Sequence, residues 1–221
     1  MNTVAILFAR SDSVYKTMPG ADVWDEARDA RNWRGGSSLV AHPPCRSWGR
    51  LRQFSYATEE ERQLARDAVA HVRRYGGVLE HPAASTLWAD MGLPRPGRFP
   101  DEFGGWSMAV DQFIFGHRAE KSTWLYVVGC DPDDIPYLPI RAGRPTHCVR
   151  PTKAYPRLPS ITKREREATP PEFAAWLVEL ARRCKPAKEN LIPAKLSGKR
   201  LAKFGDGSHG RSGDGYAPLP R

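Results

Sequence analysis

No stretch of this sequence approaches the ~20 consecutive apolar residues that a bilayer-spanning helix requires, so no membrane partner is expected. The opening MNTVAILFARSD has no basic leader and no small-residue cleavage site, and a cytoplasmic location is the expectation. Cysteine is scarce. The four residues Cys45, Cys130, Cys148 and Cys184 form no C-x-x-C pair, which points to reduced thiols rather than a disulfide framework. The set His42, Cys45, His147 and Cys148 matches no common zinc spacing, and no metal is expected. No internal repeat is visible, so solenoid and propeller architectures are set aside. Glycine occurs 19 times yet is missing from Leu7 to Ser13, where a backbone loop would otherwise approach a phosphate or cofactor closely.

What is present fits one folded unit. The 221 residues are 40% hydrophobic and 27% charged, enough for a single α/β domain over residues 1–184 followed by a basic, flexible tail over 185–221. The formal net charge of +9 is unevenly placed. From Arg150 onward there are 16 basic and 7 acidic residues, so the first 149 balance at zero. This asymmetry suits contact with a polyanion such as DNA; the alternative is a tail that is merely solvated.

Hydrophobic patterning predicts buried strands at Val4–Phe8, Asp22–Trp24, Ser38–Ala41, Val78–Glu80 and Thr123–Val128, with a short helix over Ser13–Met18. The strongest helix follows Thr58, whose partner Glu61 suggests a capping box, and it ends at Gly76-Gly77. A last helix is expected from Thr169 as N-cap, with Pro170 at its first position and Cys184 near its end. Strand, helix, strand in this order implies a mostly parallel sheet. The Pro- and Gly-rich stretch from Ala83 to Trp106 reads as a long functional loop.

Two residues stand out chemically. Cys45 follows Leu39-Val40-Ala41-His42-Pro43-Pro44 and so lies just beyond a strand's C-terminal end, where open α/β sheets gather ligands. The prolines stiffen the turn, and Arg46, Arg50 or Arg52 would favour a reactive thiolate. A buried structural cysteine is the alternative. Glu80 ends a neighbouring strand; in a partly dry position it is able to stay protonated and donate to a ring nitrogen, or to accept from an exocyclic amine. Its plain alternative is an exposed strand-end carboxylate.

Three blocks carry a family resemblance: His-Pro-Pro-Cys at His42 to Cys45, Leu-Glu-His-Pro at Leu79 to Pro82, and Phe-Gly-His-Arg-Ala-Glu-Lys-Ser-Thr-Trp-Leu at Phe115 to Leu125. In order and spacing the chain resembles the DNA cytosine-5 methyltransferases, in particular short phage and prophage methylase-like proteins. The resemblance implies a Rossmann-like, class I methyltransferase-like α/β fold acting on DNA. It makes Cys45 the nucleophile at cytosine C6 and Glu80 the acid at the cytosine edge, with Arg118 and Lys121 as further catalytic residues. S-adenosylmethionine would be the methyl donor, held by Phe8, Ser11 and Pro43, with Asp25 or Glu26 at its ribose. His42, Arg46, Trp48, Arg50, His81 and His117 would contact the substrate, with Trp48, Trp88 and Trp106 able either to stack on a base or to anchor the core. His81 stands where the family has asparagine, and no segment is long enough for a separate target-recognition domain. Two other readings stay open: an inactive nucleic-acid-binding relative, and an enzyme modifying free pyrimidine nucleotides.

Overall fold

The computed structural model describes residues 2–49, 52–153 and 155–186; Arg50 and the tail from 187 onward lie outside them. The strands are β1 (Val4–Leu7), β2 (Ala21–Trp24), β3 (Leu39–Ala41), β4 (Gly77–Pro82), β5 (Trp106–Asp111), β6 (Ala119–Glu120), β7 (Ser122–Val128) and β8 (His147–Cys148). The helices are α1 (Glu59–Tyr75), α2 (Leu87–Asp90), α3 (Lys163–Glu167) and α4 (Pro171–Arg183). Six strands form one sheet in the order β2-β1-β3-β4-β7-β5. β2, β1, β3 and β4 are parallel, and β7 runs antiparallel to both β4 and β5. β6 and β8 pair separately.

The apolar runs explain why this sheet is central. β1 and β3 are buried along their whole length, as expected when both faces of a parallel sheet are covered. Val4, Ile6, Val40, Val78, Leu125 and Val127 pack with the apolar side of α4. Ala5, Leu7, Leu39, Ala41, Leu79 and Tyr126 pack on the other face with Ala65, Ala68, Val69 and Val72 of α1. The molecule is therefore a mixed α/β layer structure with helices on both faces of a mostly parallel sheet.

Local chemistry sets the element ends. Thr58 caps α1 by accepting from the Glu61 amide, but the Glu61 carboxylate binds Arg46 instead of returning to the cap. Gly76 stops the helix at φ +73°, and Gly77 opens β4 at φ +141°, where a Cβ would sit 2.1 Å from the Leu39 carbonyl oxygen. At that same end of the sheet the Lys185 amide donates to the Gly129 carbonyl, and the Lys185 carbonyl lies where Cβ atoms of Gly76 or Gly129 would be.

Several expectations change. Val14–Thr17 is a single 3₁₀ turn, too short for an α-helix. α4 starts one residue later than expected, with Pro170 as N-cap and Pro171 at its first position. The stretch from Ala83 to Trp106 is not an open loop: it contains α2 and buries Leu87, Trp88, Leu93 and Phe103. Asp101 anchors it, accepting from Tyr126 Oη at 2.8 Å and from the Phe103 and Gly105 amides.

Candidate functional site

The site grows out of strand register. The chain passes from β1 out to β2 and returns on the other side of β1 to β3, which makes the carboxyl ends of β1 and β3 a topological switch point. Leu7 pairs with Ala41 and Ala41 with Leu79, so the next residues, His42 and Glu80, emerge side by side. Period-two alternation sends Glu80 to the α4 side of the sheet and His81 to the α1 side.

A hydrogen-bonded chain results. Tyr15 Oη lies 2.9 Å from His42 Nε2, and His42 Nδ1 lies 3.2 Å from Glu80 Oε2. Gln112 Nε2 donates to Glu80 Oε1 at 3.1 Å and to Thr123 Oγ1 at 3.0 Å. Burial alone would raise the Glu80 pKa, but the His42 hydrogen bond and the positive charge of Lys121 overcome it and hold the carboxyl at about 2. Glu80 is thus a carboxylate in the free protein, which favours the accepting role of the two read from the sequence. Desolvation and the same carboxylate push the Tyr15 phenol well up, keeping it a neutral donor.

Cys45 and Lys121 complete the group. Cys45 is a free thiol on an exposed residue, yet the protein around its sulfur raises its pKa through desolvation, with the Glu80 charge adding and Lys121 opposing. It therefore rests as a thiol. Desolvation lowers the Lys121 pKa, while the charges of Glu80, Cys45 and Glu167 draw it back up. Its ammonium donates to the Ala168 carbonyl at the end of α3, 3.3 Å away. A cation, a carboxylate and a thiol thus sense one another at the ends of β3, β4 and the β6–β7 turn.

The other predicted site residues are distributed differently. Arg118 pairs with Glu165 of α3, and Arg46 with Glu61 of α1. Trp48 is fully buried beneath the Arg62 guanidinium, so its ring is a core anchor and unavailable to a base. Trp88 and Trp106 are likewise buried. His117 is buried with Nδ1 2.7 Å from the Ala119 carbonyl oxygen, holding its own turn rather than facing a substrate. His81 is buried beside Trp88, on the sheet face away from Glu80. Pro43 is buried in the turn to Cys45, while Ser11 and Glu26 are exposed. Phe8 takes φ +60°, the left-handed conformation that a glycine would ordinarily supply after β1. Asp25 accepts from Lys16 Nζ at 2.6 Å and from the Ala27 and Arg28 amides.

Sequence reading missed Tyr15, Gln112 and Thr123. Tyr15 lies in the 3₁₀ turn and Gln112 follows a strand that had no clear pattern, so neither announced its long-range partner. Comparison of the chain with protein-family models, with curated proteins and with solved structures gives no match.

Proposed function

We propose that this site addresses a cytosine of DNA in the manner of a cytosine-5 methyltransferase, on a class I methyltransferase-like α/β fold. The observation that supports the reading best is the placement of Cys45 and Glu80 at adjoining strand ends beside the switch point, with Lys121 close to both. In this reading Cys45 gives up its proton and its sulfur forms a bond to C6. The C5–C6 π pair shifts into C4–C5 and the C4–N3 pair goes to N3, which takes the proton the thiol released, relayed by the Glu80 carboxylate. The ionised Glu80 accepts from the 4-amino group. In a duplex the base must first leave the stack.

S-adenosylmethionine is the methyl donor implied by the family resemblance, and the residues at the switch point do not fit it. Of the two acids that would take the ribose, Asp25 is engaged by Lys16 and two backbone amides, while Glu26 is exposed. Tyr15, 1% exposed, packs its ring against His42 just past the end of β3, and the loop after β1 carries the Phe8 side chain where a glycine would admit a ligand. No step is therefore derived through the cofactor.

The thiol chemistry is testable without a methyl donor. Reversible addition at C6 loosens the C5 proton, so a cytosine oligonucleotide incubated with the protein in deuterium oxide should gain deuterium at C5, read by mass spectrometry of its nucleosides. Cys45→Ser should abolish this exchange; exchange at the parental rate would remove the thiol from the mechanism. The engaged Asp25 and the placement of Tyr15 favour a second reading, a nucleic-acid-binding relative without methyl transfer. Calorimetric titration with S-adenosylmethionine should then give no saturable heat, whereas clear saturation would reinstate the methyl donor.

A further inference from the structure

A cleft of about 270 Å³ opens two residues beyond Cys45, lined by Ser47, Arg52, Gln53, Ser55, Ala57 and Arg62. Two polar atoms in its wall make no hydrogen bond. Ser47 is 4% exposed, and its buried Oγ makes no hydrogen bond. The Arg62 Nε is also buried without a hydrogen bond, while the guanidinium is ion-paired with Glu59 at 3.5 Å and with Asp90 at 3.9 Å. Unmatched buried donors are uncommon in native proteins and are satisfied when a ligand brings an acceptor. Arg52 is exposed and forms no ion pair with any described residue.

Acidic groups nearby are largely neutralised. The first turn of α1 carries Glu59, Glu60 and Glu61, but Glu59 binds Arg66 and Glu61 binds Arg46, leaving Glu60 exposed. The donor set of the cleft thus suits a singly charged oxyanion such as a phosphodiester. Two aromatic rings stand on the same segment: Phe54 is 74% exposed and Tyr56 is 101% exposed. Rings left in water beside a basic cleft are the arrangement that stacks successive bases of a nucleic-acid strand.

We infer that Ser47, Arg52, Phe54, Tyr56 and Arg62 form a docking site for one DNA strand, with a phosphodiester in the cleft on Ser47, Arg52 and Arg62 and unpaired bases on Phe54 and Tyr56. The choice of DNA rests on the proposed reading of Cys45; the phosphate and stacking chemistry rests on the cleft alone. The strand must be unpaired here, because the base faces that Phe54 and Tyr56 would meet are covered in a duplex.

Fluorescence anisotropy of the full chain with a labelled single-stranded cytosine oligonucleotide tests this. Phe54→Ala/Tyr56→Ala should weaken binding roughly tenfold or more, the loss expected when stacked bases lose their platform. Arg52→Gln should lower the slope of log affinity against log salt by about 0.7, one phosphate contact fewer on a single strand. Ser47→Ala should weaken binding several-fold with an unchanged melting curve. The inference is overturned if the parent chain binds no oligonucleotide, if duplex binds as tightly as single strand, or if these cleft and ring variants all bind like the parent. Affinity that responds to these variants while C5 exchange is absent would refute only the catalytic reading.

Discussion

Glu80→Gln is expected to destabilise the protein by about 3 kcal/mol at neutral pH and to slow C5 exchange by about a hundredfold. The first effect follows from the cluster's charge balance. Glu80 is the carboxylate against which Lys121 keeps its charge while partly desolvated, and its two oxygens bind His42 and Gln112. An amide keeps the shape but leaves the cation without its counter-charge. Chemical denaturation with Glu80→Gln, Lys121→Met and the pair separates charge from packing: the double variant should recover at least half of the loss. A Glu80→Gln protein as stable as the parent would show that the carboxylate does not hold these strand ends together. The pH dependence has a definite sign. The folded-state pKa of Glu80, about 2, lies below its ordinary value of 4.5, so its contribution is complete above pH 4.5 and fades as the pH falls toward 2. Glu80→Gln should flatten that part of the acid limb.

His81→Leu is the second large effect, and it runs in the stabilising direction. Both ring nitrogens of His81 are buried without a hydrogen-bond partner, and burial pushes the imidazole down to about 4 from 6.5. The unfolded chain therefore binds a proton that the folded chain refuses between pH 6.5 and 4, and stability drops by about 3 kcal/mol across that interval. Leucine removes the proton uptake and the unmatched polar atoms together. Denaturant midpoints should rise at pH 7 by the equivalent of about 1–2 kcal/mol and should lose most of their slope between pH 6.5 and 4. A lower midpoint at pH 7 would mean that His81 has a polar role that the packing against Trp88 does not reveal. The window lies above that of Glu80, so the two residues are separable in one titration.

The parts of the fold that were legible are those where one local signal suffices. VAIL in β1, the TWLYVV core of β7 and the apolar side of α1 announce burial by composition and period alone. β5 did not, because Trp106-Ser107-Met108-Ala109-Val110-Asp111 sits at a sheet edge with a mixed burial pattern and shows neither alternation nor a continuous apolar run. The Pro- and Gly-rich stretch before it read as open chain because proline and glycine content reports turns, whereas Leu87, Trp88, Leu93 and Phe103 bury against a sheet that local sequence cannot see. The Thr162–Glu165 capping box before α3 has the same signature as the one read at Thr58, but only five helical residues follow it. At the site, Cys45 and Glu80 were visible because each follows an apolar strand. Tyr15 and Gln112 meet His42 and Glu80 from 27 and 32 residues away, contacts set by topology alone.

The clamp on Lys185 has a geometric corollary. Gly76 and Gly129 hold it at the start of β4 and the end of β7, whereas Glu80 lies in the far half of β4 and Cys45 four residues past the far end of β3. Pro186, the last described residue, therefore lies at the end of the sheet opposite the thiol, so the described chain leaves the domain far from Cys45.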